Sequence, residues 1–143
     1  SDIHAALGVP QMEKLDFILA RRREISSRYR QALSGLPGVT TPDDADGRPH
    51  TYQSFVIMLP PEMDRDGCIA FMRAQDIETT LGTYALHDQP FFQRTYGYSS
   101  GDLPNSHRAF RSSLTLPLSV QMSEEEVSRV VQALRRFLSQ AAR

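Results

Sequence analysis

Hydrophobic positions recur at helical spacing through the first part of the chain. Met12, Leu15, Leu19, Ile25, Tyr29 and Leu33 fall on one stripe and Ile18 widens it, while the opposite face carries Arg21, Arg22, Arg23, Glu24, Arg28 and Arg30. The pattern predicts a long helix from Gln11 to Leu33, ended by Gly35, Pro37 and Gly38. Upstream, Ser1 to Gly8 reads as helix already in progress with little polar lead-in, the expectation for a piece cut from a longer polypeptide. Gly8-Val9-Pro10 is expected to interrupt it, with Pro10 in the first turn of the next helix.

After Leu33 the periods change. Thr40 to Pro49 is polar and rich in Pro, Asp and Gly, which predicts a mobile surface loop. Thr51 to Leu59 alternates through Tyr52, Phe55, Ile57 and Leu59 and reads as a strand, stopped by Pro60 and Pro61. Asp64 is a candidate N-cap for a helix through Gln75 with Cys68, Phe71 and Met72 on its buried face. Ile77 to Tyr84 reads as a short strand. Pro90 to Tyr96 reads as a turn or two of helix ending at Gly97, and Ser99 to Asp102 as a turn. Leu103-Pro104 opens another short helix through Phe110, and Ser113 to Leu118 is a third strand cut by Pro117. Ser123-Glu124-Glu125-Glu126 has the form of a capping box before an amphipathic helix through Val127, Val130, Val131, Leu134 and Leu138. This order, with about three strands, predicts an α+β domain of two layers, a small sheet covered by helices.

Composition narrows the function. A chain of 143 residues fits one domain, and at this size roughly 68% of the unfolded surface can be buried. Hydrophobic residues at 40% and charged residues at 23% exclude wholesale disorder. A formal net charge of -1 argues against nucleic acid or an anionic membrane as partner. The apolar run from Phe55 to Pro61 falls far short of a membrane span, and no basic-then-apolar start resembles a signal peptide, so a cytoplasmic protein is expected. The single cysteine, Cys68, excludes an internal disulfide framework and a Cys-rich zinc module. Arginine outnumbers lysine fifteen to one, and the one lysine is Lys14.

Few residues offer chemistry. The Arg21 to Arg30 cluster reads as a solvated helix face balanced by Asp16 and Glu24. Asp44-Ala45-Asp46-Gly47 resembles a calcium loop only in part, because Pro42 stands where a ligand is needed and the bidentate glutamate is missing. His4, His50, His87 and His107 lack metal-ligand spacing, and Cys68 reads as a small buried hydrophobe. There is no glycine-rich phosphate loop and no serine nucleophile elbow, hence no self-sufficient catalytic set. One stretch stands out, Thr79 to Phe92, where Tyr84 and His87 join rings to polar tips suited to a polar, ring-shaped ligand.

A wider resemblance runs through Asp2-Ile3-His4-Ala5-Ala6-Leu7-Gly8, Gln11-Met12-Glu13-Lys14-Leu15, Arg21-Arg22-Arg23 and Tyr29. It continues in order through Leu36-Pro37-Gly38-Val39, His50-Thr51-Tyr52, Asp64-Arg65-Asp66, Ile77-Glu78-Thr79, Leu86-His87 with Pro90-Phe91-Phe92, Leu103-Pro104, Leu116-Pro117-Leu118 and Ser123-Glu124-Glu125-Glu126. On these residues the chain resembles the C-terminal third of the DegT/DnrJ/StrS aminotransferases, pyridoxal-phosphate enzymes of the type I aminotransferase fold that aminate keto sugars carried on nucleotides. The resemblance implies the small C-terminal domain: residues 1–35 as connecting helices and 36–143 as a sheet-and-helix unit with a mostly antiparallel sheet. It also implies that the cofactor-binding lysine, the stacking aromatic, the ring-nitrogen aspartate and a phosphate-contacting segment that crosses the dimer interface all belong upstream of Ser1. Lys14 falls on a variable surface position beside Glu13 and Asp16, so no catalytic or cofactor-binding residue and no metal ligand is expected in this chain.

The same resemblance places Thr83, Tyr84 and His87 at the substrate, with a nucleotide-sugar and an amino-acid amine donor as the parent's ligands and a homodimer as its assembly. It departs at Gly82, where many members carry a substrate-facing histidine, and at Ala85, which replaces a common proline; Tyr84 stands to substitute in part. By itself the piece is expected to be inactive and to self-associate through the surface the remainder would cover. The rival expectation is a complete, non-catalytic α+β interaction module that binds a protein partner through the Gln11–Leu33 helix or the Tyr84–Phe92 loop.

Overall fold

The computed structural model describes residues 1–44 and 49–141. The Ala45-Asp46-Gly47 stretch of the calcium-like pattern, and with it the middle of the polar loop, lies outside the described residues. Among those described, six α-helices and three strands follow in the order α1 (Asp2–Glu13), α2 (Leu15–Leu33), β1 (Phe55–Met58), α3 (Arg65–Arg73), β2 (Thr80–Leu81), α4 (Pro90–Tyr96), α5 (Pro104–Ser112), β3 (Ser113–Leu116) and α6 (Glu124–Ala141). A 3-10 turn at Leu86–Asp88 precedes α4.

The last strand in sequence is the middle strand in space. The sheet order is β1-β3-β2, with both pairings antiparallel, so β1, α3 and β2 form a split β-α-β unit into which β3 inserts. Phe55 and Ile57 of β1 pair with Leu116 and Leu114 of β3, and all four side chains are buried. Their inward face meets Ile25, Tyr29 and Leu33 of α2, Cys68 and Met72 of α3, and Val127, Val130, Val131 and Leu134 of α6. Helices on one face of an antiparallel sheet give the expected two-layer α+β domain. The second half of α2 is therefore core rather than connector, and the Tyr29 ring stacks on Phe55 at 5.1 Å while its hydroxyl donates to Pro117 O at 2.9 Å.

Several elements follow their local chemistry. The capping box forms in both directions: Ser123 N–H donates to Glu126 Oε2 at 2.8 Å and Glu126 N–H to Ser123 Oγ at 3.2 Å. In α4, Pro90 takes the first turn and Gly97 closes the helix at φ 73°, a left-handed conformation open to glycine. Asp64 does occupy the N-cap of α3, but through its carbonyl, which accepts from Cys68 N–H, and not through its side chain.

Other elements differ from expectation. Helix α1 runs through Pro10 and ends at Glu13; the break falls at Lys14, with φ -91° and ψ 0°, so Pro10 lies inside a helix and not at the start of one. Proline removes one i to i-4 bond there without stopping the coil. Met12 and Leu15, read as part of the buried stripe, are exposed, and no residue of α1 is buried. Strand β1 starts at Phe55 instead of Thr51, because Tyr52 is held at φ 47°, outside the extended region. Strand β2 shrinks to Thr80–Leu81 and β3 ends at Leu116, one residue before Pro117.

Arginine side chains from α6 and α2 close the ends of neighbouring segments. Arg135 donates to Ala32 O in the last turn of α2 at 2.6 Å, and Arg129 to Gln75 O and Asp76 O just past α3 at 2.6 and 3.1 Å. Arg21 donates to Met122 O at 2.9 Å and pairs with Glu24, and Arg28 pairs with Glu24 and Glu124. On the arginine-rich face of α2, Arg28 thus ties the helix to α6, while Arg21, Arg23 and Arg30 reach the loops beside it.

Cys68 is fully buried in α3, and burial, reinforced by Asp64, pushes its thiol up to about 12. A thiol so held lacks both the thiolate and the access that alkylation needs. Native protein is expected to resist iodoacetamide at mildly alkaline pH and to react stoichiometrically once unfolded in urea; fast labelling of the native state, followed by mass spectrometry, would contradict the buried placement.

Candidate functional site

The stretch singled out in the sequence leaves β2 at the sheet edge and is shaped by how closely it passes the central strand. Gly82 N–H donates to Ser113 O at 3.3 Å. A Cβ at this position would collide with Val56 Cγ1 and lie 2.7 Å from Ser113 Cβ and 2.9 Å from Ser113 Oγ. Glycine is required by that approach, which gives the departure at Gly82 a physical cause: a histidine has no room on this backbone.

Thr83 and Tyr84 then emerge on the surface. The Tyr84 ring, 62% exposed, stacks on Phe110 of α5 with centroids 6.0 Å apart and planes at 25°. The guanidinium of Arg65 also lies over the Phe110 ring, 5.7 Å from its centroid. Arg65 itself is 5% exposed and donates to Phe110 O at 3.0 Å and Ser113 O at 3.3 Å, with Asp66 accepting a third bond at 2.6 Å. The first turn of α3 therefore supports the junction of α5 and β3, and that junction supports Tyr84.

His87 turns the other way. It is 3% exposed, and both ring nitrogens are buried without a hydrogen-bond partner. Nε2 faces Asp88 Oδ1 at 3.7 Å, beyond hydrogen-bond reach. The other oxygen of Asp88 is engaged, 2.6 Å from Nδ1 of His107 on α5. Hydrogen bonds from Ser100 and His107, with the charge of both imidazoles, hold the Asp88 carboxyl below the usual carboxylate range. Asp102, which accepts from Ser99 N–H at 2.8 Å and Ser99 Oγ at 3.0 Å, is lowered as well by those bonds.

Of the three site residues named from sequence, Thr83 and Tyr84 share one exposed edge and His87 packs beneath it. His107, Phe110 and Arg65 were not visible as members of this neighbourhood, and Asp88, inside the stretch, was not singled out. Asp88 borders His87, but nothing in the sequence joins it to a histidine nineteen positions away. Lys14 sits exposed at the junction of α1 and α2, on neither of the elements that build this cluster. No group of three His, Cys, Asp or Glu side chains among the described residues is arranged to hold a metal ion. Around the loop, Leu86, Phe91, Tyr96, Tyr98 and Leu103 leave a broad apolar surface exposed.

Comparison with known proteins places the fold in a family. Residues 1–135 match the family described as the DegT/DnrJ/EryC1/StrS aminotransferase family, and the chain belongs to it. It is 32% identical over 138 residues to the spore coat polysaccharide biosynthesis protein SpsC of Bacillus subtilis, covering 94% of this chain and 36% of the relative. Among solved structures, the aminotransferase TlmJ from Streptoalloteichus hindustanus superposes with a TM-score of 0.86 at 27% identity, covering 99% of this chain and 37% of that one. The protein Spr1654 of Streptococcus pneumoniae, in its PLP form, shares the fold with a TM-score of 0.89 at 20% identity, covering 99% of this chain and 36% of that one. The chain thus spans little more than a third of the relatives it matches.

The close approach at Gly82 makes a definite prediction. Gly82→Ala should destabilise the domain by about 1–3 kcal/mol through overpacking against Val56 and Ser113, while Thr83→Ala one residue on should stay within about 0.5 kcal/mol. Urea unfolding of the two variants checks this, and equal effects would contradict the geometry.

Proposed function

We propose that this member of the aminotransferase family is the small C-terminal domain of a pyridoxal-phosphate-dependent enzyme that aminates keto sugars carried on nucleotides. The amino group would come from an amino acid, in a cytoplasmic homodimer. The observation that most supports this reading is the family match over residues 1–135, together with a relative in polysaccharide biosynthesis. When bound, pyridoxal phosphate supplies the electron sink that lets an amino group move between an amino acid and a carbonyl.

The described residues do not fit that cofactor by themselves. Holding it covalently needs a desolvated amine, and Lys14, the one lysine in the sequence, is exposed at a helix junction. This chain's own contribution is a wall: the Thr83 hydroxyl and the Tyr84 ring form one exposed edge, and a sugar or base can stack on the ring while the hydroxyls exchange hydrogen bonds with it. In the assembled enzyme this edge would close over the substrate, with His87 packed behind it.

Two outcomes test the reading. In the natural polypeptide, Tyr84→Ala should raise KM for the nucleotide-linked keto sugar about three- to tenfold, the loss of one stacking contact, and leave the half-reaction with the amino acid unchanged. Equal losses in both half-reactions, or no amination of any such sugar, would overturn it. Second, Ile3, Leu7, Met12 and Phe17 are each more than half exposed on α1 and the start of α2, apolar surface on more than one side of the helix that is suited to cover by the rest of the polypeptide or a second subunit. Supplied alone, the chain should self-associate through it, and light scattering that finds a monomer over a wide concentration range would count against that.

A further inference from the structure

Between Gly82 and Pro90 the chain contains no strand and no α-helix, only the 3-10 turn at Leu86–Asp88. Three ties of this span land on one continuous piece of α5 and β3, and a further bond joins Asp88 to Ser100 in the turn before α5. Gly82 N–H bonds Ser113 O, Tyr84 stacks on Phe110, and Asp88 bonds His107. The first is an edge-of-sheet contact, and the second is a stack that leaves Tyr84 largely exposed. The third is of another kind. The Asp88 side chain is 8% exposed, its Oδ2 lies 2.6 Å from Nδ1 of His107, and its Oδ1 faces the buried ring of His87. A carboxylate shielded from solvent holds such a bond more firmly than one at the surface.

We propose that Asp88 is the positioning residue of the ligand-facing segment: anchored by His107 of α5, it fixes the turn from which Thr83 and Tyr84 are presented to a sugar ligand. This role rests on the reading given under Proposed function. Asp88 does not touch the ligand; it acts through the backbone of the 3-10 turn, whose Asp88 N–H and Gln89 N–H donate to Ala85 O and Leu86 O. The buried Ala85 and His87 on either side of exposed Leu86 give the turn its inward face. Without the His107 anchor, that face remains apolar enough to stay covered, but its rotation relative to α5, and with it the direction of Tyr84, is no longer fixed.

The test uses geometry that packing alone does not distinguish. Asparagine carries its side-chain nitrogen the same number of bonds from Cα as Nδ1 of histidine, whereas glutamine carries it one bond further out. In the natural polypeptide, His107→Asn should keep the anchor and stay within about threefold of wild type in sugar KM. His107→Gln and His107→Leu should raise that KM roughly tenfold with kcat and the amino-acid half-reaction unchanged. Asp88→Asn, which retains an acceptor, should resemble His107→Asn, and Asp88→Leu should resemble His107→Leu. Hydrogen exchange over residues 83–89 should quicken in the Gln and Leu variants alone, a readout that needs no catalysis. Three alike His107 variants in KM and in exchange, or a fall in kcat in place of a rise in KM, would overturn the proposal. Should the polypeptide aminate no sugar, the exchange pattern still decides whether the anchor exists, and only the identity of the ligand falls with the earlier reading.

Discussion

The guanidinium of Arg65 is almost wholly removed from water, so its donors must be met by protein. Its acceptors are the carbonyls of Phe110 and Ser113, the residues between which α5 ends and the central strand begins. Its ion pair with Asp66 matters less, because Asp66 is largely exposed and solvent weakens that attraction. The carbonyl bonds set the geometry: they fix where β3 starts relative to α3, and β3 is the strand on which both β1 and β2 pair. The same guanidinium lies over the ring of Phe110, on which Tyr84 also stacks. Sheet and candidate site are therefore positioned from one buried charge.

Arginine's planar fork also ties the helices at their ends, over the apolar core that packs them. Carbonyls at the end of a helix lack intrahelical donors, and here arginines of other helices supply them, Arg135 to α2 and Arg129 to the residues after α3. A guanidinium reaches such acceptors with several directed N–H groups while staying charged, which a lysine ammonium on a flexible stem does less well. That is a structural use for a composition of fifteen arginines and one lysine.

The sequence made legible the elements whose ends are encoded within a few residues. Helix α4 lies between Pro90 and Gly97, and α6 follows a capping box, just as local chemistry dictates. The antiparallel α+β layout followed from the order of elements and the family resemblance. Less legible were features decided by distant partners. Tyr52 adopts φ 47° in a setting where its hydroxyl donates to Asp44 and its ring stacks near Phe55, and a strand read from alternation had no means to register that. Pro10 reads as a helix start by propensity, yet nothing packs on α1 to enforce a break there. Tyr84 and Thr83 were singled out because rings and hydroxyls cluster in one stretch, whereas nothing in the Asp64-Arg65-Asp66 run signals that Arg65 is buried, and the Asp88–His107 pair has no periodicity at all.

The threading of β3 between two earlier strands has a bearing on how this unit is made in the cell. A ribosome delivers β1, α3 and β2 first, and in the finished sheet those two strands do not touch each other. No part of the sheet can close until residues 113–116 have emerged, and the covering helix α6 comes later still. Early in synthesis the exposed strand edges and apolar α3 must wait, a state open to mispairing and to chaperones. Folding here waits for β3 and α6 to emerge, set by long-range contacts rather than by the order of translation.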